Sequence, residues 1–70
     1  MEMAELDFYK ILTPKDNEGR RRAITIHALS LDSAKRMVAK AEGYPESTPV
    51  YAWRWVDNTW TQVEVQLKGI

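Results

Sequence analysis

Few side chains in this chain could do acid–base or covalent chemistry. His27 is the single histidine, and a catalytic triad would need it beside an activated serine, but the sequence holds no nucleophile-elbow glycines. Three glycines lie too far apart to form a phosphate-cradling loop. Asp16 and Glu18 flank Asn17 in a run of turn formers. They lack the spacing and the later glutamate of a calcium loop, so a solvated turn is the expectation. Cysteine is absent, which removes disulfides and thiolate zinc sites. The residues therefore predict a protein that is not an enzyme, with no catalytic residue, no metal site and no cofactor.

Two groups of residues carry binding chemistry instead. The first is basic: Arg20, Arg21 and Arg22 in succession, with Lys35, Arg36 and Lys40 further on. Alternation along an extended chain turns Arg20 and Arg22 one way and Arg21 the other. The second group is aromatic: Trp53, Trp55 and Trp60. Tryptophans on a polar sheet face form an exposed apolar patch, and such patches mark interfaces. Such a row can stack bases, meet another copy of the chain or bind a different protein. The competing expectation is that a small domain uses its tryptophans in the core.

The elements that position these residues follow from pattern. Residues 30–43, SLDSAKRMVAKAEG, read as an amphipathic helix. Ser30 is the N-cap, Asp32 sits at the positive end of the dipole, and Gly43 stands just past the end with Pro45 beyond. Leu31, Ala34, Met37, Val38 and Ala41 recur at the spacing of one face, with Lys35, Arg36, Lys40 and Glu42 opposite. Residues 7–12 (DFYKIL) read as a strand, 13–19 as a loop of turn formers, and 22–29 as a second strand with Ile24, Ile26 and Ala28 on one face and Thr25 and His27 on the other. After a loop over 44–49, residues 50–56 and 59–67 form a hairpin around Asp57-Asn58.

Turn length sets the faces of that hairpin, because a one-residue slip flips every side chain. A two-residue turn pairs Val56 with Thr59, Trp55 with Trp60, Trp53 with Gln62 and Tyr51 with Glu64. It sets Ala52 against Val63 and Val50 against Val65, so that Val50, Ala52, Val63, Val65 and Leu67 pack under the helix. Arg54 then falls on the helix side and must snorkel out. A three-residue turn would put Trp53 opposite Val63 and send the aromatics inward. Clean alternation in the last strand favours the tight turn. The predicted fold is α+β: a four-stranded antiparallel sheet in β-β-α-β-β order, with one helix packed across one face.

Composition bounds the rest. Seventy residues suit a single domain spanning 1–70, near the lower size limit for folding without metals or disulfides. Ten basic and ten acidic side chains cancel, so no global field draws in nucleic acid. No run approaches the roughly 18 apolar residues of a membrane span, and the acidic start is unlike a signal peptide. A soluble, cytoplasmic protein without membrane contact is expected.

The segment Ser30, Leu31, Ala34, Lys35, Arg36, Met37, Lys40 resembles the Ser-Leu-x-x-Ala-Lys-Arg helix start of small phage anti-CRISPR proteins of type I-F with β-β-α-β-β layout. Thr48 with Val50, and the 8–11 opening, echo the same family, while the ending TQVEVQLKGI departs from its basic, Trp-containing last strand. The resemblance implies a phage or prophage inhibitor that binds a host CRISPR effector of Cascade type and blocks target DNA. Lys35, Arg36 and Lys40 would be its helix contacts. The other readings are a single-stranded nucleic-acid-binding module using Arg20–Arg22 and the sheet aromatics, and a homo-oligomeric adaptor or ligand-sequestering protein joined through its tryptophans.

Overall fold

The structure, a computed structural model, describes residues 6–64. Strand β1 (Asp7–Leu12) is followed by β2 (Ala23–Ala28), helix α1 (Leu31–Glu42), β3 (Tyr51–Val56) and β4 (Thr59–Glu64). The four strands form one antiparallel sheet in the order β2-β1-β3-β4. This is the expected α+β layout.

Local sequence fixes the helix ends. Ser30 has extended backbone, and its hydroxyl accepts a hydrogen bond from the Ser33 N–H at 3.1 Å. That satisfies a first-turn donor the helix itself cannot pair. At the other end Gly43 adopts φ 82° and donates its N–H to the Ala39 carbonyl at 2.8 Å. A side chain at that φ would be strained, which is why glycine closes the helix.

Two different connections make the two hairpins. Between β1 and β2 the Asp16 carboxylate accepts from the N–H groups of Glu18 and Arg20, at 2.8 and 2.9 Å. Gly19 takes the left-handed turn there, at φ 77°. Thr13 and Arg22 extend the ladder past the strand ends, the Thr13 N–H donating to the Arg22 carbonyl at 2.9 Å. Between β3 and β4 the turn is the tight one: Asp57 and Asn58 have φ 49° and 63°. Those values suit a two-residue hairpin whose twist matches its strands.

The core lies between the sheet and the helix. Tyr9 and Ile11 of β1, Ala28 of β2, Val50, Ala52 of β3, and Ala34 and Val38 of α1 are buried together. Ile24, Ile26, Leu31 and Tyr44 are packed against them. The helix makes its sheet contacts with β1 and β2. Ala34, small and fully buried at this contact, allows that close approach.

Three expectations need correction. The helix face is turned relative to the one read from periodicity: Ala39 is buried, whereas Met37 and Ala41 are exposed. Two polar side chains on the flanks account for the turn. Lys35 reaches Glu64 at 2.7 Å and Glu42 reaches Arg22 at 3.4 Å, so both lie against the sheet margins instead of pointing straight out. Second, the β3–β4 register holds from Val56–Thr59 through Trp53–Gln62, then shifts at a bulge, so that Ala52 pairs with Glu64 and not with Val63. The extra residue in β4 leaves Val63 exposed and brings Glu64 to the helix side, as a bulge does by opposing two residues to one. Third, β2 spans Ala23–Ala28, one residue shorter at each end than the predicted 22–29. Val65 and Leu67 lie outside the described residues.

The bulge yields a direct test. Val63→Thr is expected to change stability by no more than about 0.5 kcal/mol, as at an ordinary surface site. Ile11→Ala, at a fully buried position, should cost about 2–5 kcal/mol. Urea denaturation of both variants distinguishes this register from one that buries Val63.

Candidate functional site

The sheet face turned away from the helix is built from alternate residues of all four strands. Phe8, Lys10 and Leu12 of β1 lie beside Thr25 and His27 of β2 on one side and Tyr51 and Trp53 of β3 on the other. Trp55 pairs with Trp60 and Trp53 with Gln62 across β3 and β4. Thus Trp53, Trp55 and Trp60 share the uncovered face, as the tight turn requires, and none belongs to the core under the helix.

The rings on this face pack against one another. His27 stacks on Phe8 with centroids 4.6 Å apart, and Phe8 meets Trp60 at 5.3 Å. Trp60 in turn meets Trp55 edge to face at 5.1 Å. Tyr51 stacks beside Trp53 at 6.3 Å. Such pairs add about 0.5–1.5 kcal/mol each beyond the area they bury. Trp60 is the central member, half-buried among its neighbours, whereas Trp55 stays 42% exposed. One tryptophan therefore organises the face and another is presented by it.

Cations sit among the rings. The Lys10 ammonium lies over both Trp53 and Trp60, 4.6 and 5.0 Å from their centroids. The Arg21 guanidinium lies 5.3 Å over the Tyr51 ring and donates to the Thr13 carbonyl at 3.0 Å. The electron-rich ring faces attract these charges without neutralising them. Among the described strand residues of this face there is no carboxylate, since Asp7 and Glu64 belong to the helix side.

The other basic residues are distributed differently. Arg20 pairs with Glu18, Arg22 with Glu42, Lys35 with Glu64, and Arg36 with Glu46. Lys40 is exposed in the last helical turn and has no ion-pair partner among the described residues. Arg20, Arg21 and Arg22 do not form one patch, and Lys35, Arg36 and Lys40 lie on the element opposite the aromatic face. Arg54 is exposed on the helix side. Phe8 and Lys10 went unnoticed as members of this face in the sequence. The signal was there: Phe8, Lys10 and Leu12 share a strand parity opposite to the buried Tyr9 and Ile11.

Elsewhere, two shallow depressions flank the helix, one reaching Arg22, Glu42 and Tyr44, the other Lys35, Thr48 and Glu64. Both are bordered by the ion pairs already described. No group of three or more metal-ligating side chains occurs among the described residues. No helix of the described residues is long and apolar enough to cross a membrane. On the helix side, burial and then the Asp7 carboxylate raise the Tyr9 phenol above its ordinary value, with Arg54 working against them. Burial and the charge of Glu42 raise Tyr44 in the same direction. Compared with family models, curated proteins and solved structures, the chain finds no match.

Two outcomes follow from this geometry. Trp60→Ala should cost about 1–3 kcal/mol through its two ring partners alone, and Trp55→Ala about 0.5–1.5 kcal/mol through its single one, both read by urea denaturation. In alkali, an unfolded phenol ionises near pH 10 and the folded Tyr9 and Tyr44 ionise later. The unfolded state thus loses protons first, so stability is intact below about pH 10 and falls as pH rises beyond it. Melting temperatures of the parent and of Tyr9→Phe across that range check the sign, with a shallower fall expected in the variant.

Proposed function

We propose that the protein is a non-enzymatic binding module whose working surface is the uncovered aromatic face of its sheet, and that it acts by covering a site on a larger partner. The observation that carries this reading is Trp55, 42% exposed at the end of an ordered chain of rings. Large aromatic side chains held rigidly on a sheet surface lose little entropy on binding and dominate contact energies. A sheet of four strands offers area on the order of the roughly 800 Å² a side of a standard interface.

A second reading uses the outer face of α1. Met37 is 48% exposed between Arg36 and Lys40, and this helix start is the segment that resembles phage type I-F anti-CRISPR proteins. On that reading the partner is a host CRISPR effector of Cascade type, closed to target DNA in the host cytoplasm. The ion pairs of Lys35 and Arg36 leave Lys40 as the helix cation with no ion-pair partner among the described residues, which narrows the charge this face offers.

Affinity capture separates the two. Tagged protein is presented to purified Cascade-type effector and to nuclease-treated host lysate. The sheet-face reading expects Trp55→Ala to lose the retained partner and the double variant Arg36→Glu, Lys40→Glu to keep it. Loss in the helix variant with retention in Trp55→Ala would contradict that reading and support the helix face.

A further inference from the structure

We infer that the aromatic face binds single-stranded nucleic acid, an inference that rests on the reading of this face as the working surface. Charge segregation carries it. The chain is neutral overall, yet the described carboxylates lie in the loops, in the helix and on the helix side of the sheet, while Lys10 and Arg21 stand on the aromatic face. A ligand for this face must supply negative charge to meet two cations and flat apolar surface to meet Trp55, Trp53 and Tyr51.

Three occupants can be compared on those terms. A second copy, meeting face to face, would set Lys10 and Arg21 against a face whose described strand residues include no carboxylate, so like charges would oppose each other there. An acidic protein segment supplies charge, but would need aromatic and acidic side chains at matched spacing. A nucleotide strand carries a planar base and an anionic phosphate in every unit. Antiparallel sheets with exposed rings use that combination, the rings taking bases and adjacent cations taking phosphates. Duplexes keep their base faces stacked internally, so the single strand is the form that fits.

The arrangement assigns roles. Trp55, the exposed tryptophan, is the first stacking position, and half-buried Trp53 and Tyr51 continue it along β3. Lys10, held between Trp53 and Trp60, meets the phosphate beside them. Arg21, over Tyr51, meets a second phosphate at the far end of the row. Trp60 positions Lys10 and Trp55 and is itself largely covered.

The test titrates the full chain with a thymidine oligonucleotide of about 12 nucleotides, following tryptophan fluorescence, with poly-L-glutamate as an anion without bases. Saturable quenching by the oligonucleotide and none by poly-L-glutamate is expected. Trp55→Ala should weaken binding about tenfold, and Lys10→Met should flatten the logarithmic salt dependence by about 0.7. Lys10→Met keeps the packing of the aliphatic stem, so the salt slope remains readable even where a tryptophan variant folds poorly. Equal binding of poly-L-glutamate, an unaltered slope in Lys10→Met, or no binding of the oligonucleotide would each overturn the inference. If Trp55-dependent capture of a protein succeeds while the oligonucleotide fails, this inference falls and the sheet-face reading stands. If both fail, both fall.

Discussion

One helix cannot cover two faces of a four-stranded sheet. Helix α1 has 12 residues, about 18 Å of length, and it lies across β1 and β2. Its small side chains seal Tyr9, Ile11, Val50 and Ala52 on one side. The opposite face must find its own cover, and the chain answers with rings that shelter one another: His27 on Phe8, Phe8 on Trp60, Trp60 on Trp55. A domain this small has little core to spare, so a second packed layer adds stability that the first cannot supply. Self-packing has a limit at the end of the row, where Trp55 has a ring on one side and solvent on the other.

The same constraint sorts the charges. Arg22, Lys35 and Arg36 are drawn into pairs with carboxylates, which ties α1 to the sheet margins and to the segment after it. Each exposed pair contributes little by itself, and their effect is to orient. Lys10 and Arg21, on the other face, have rings for neighbours in place of carboxylates. A chain with zero net charge thereby acquires one face of distinct character, which total charge alone conceals.

Much of this was legible in the sequence. Ser30 and Gly43 mark the helix ends by chemistry that acts within one turn, and Asp57-Asn58 marks the hairpin because few residues tolerate positive φ. Once that turn is tight, the placement of Trp53, Trp55 and Trp60 on the uncovered face follows by counting. The bulge at Val63 was not legible. Nothing local demands it, and Val63 and Val65 alternate as a core strand should. The turn of the helix face was hidden for a similar reason: Lys35 and Glu42 lean inward because of Glu64 and Arg22, partners remote along the chain. Lys10 reads as an ordinary strand lysine until the strand order sets it beside Trp53 and over the Trp60 ring.

The central claim is that the uncovered face is an ordered ring cluster with Lys10 held inside it and Trp55 presented from it. Proton NMR of the uniformly labelled protein tests this most directly. Ring currents from Trp53 and Trp60 should move the Lys10 ε-methylene protons well upfield, with cross-relaxation between Trp60 and Phe8 ring protons. Lys10 ε-protons at their ordinary position, or no contact between Trp60 and Phe8, would contradict the account.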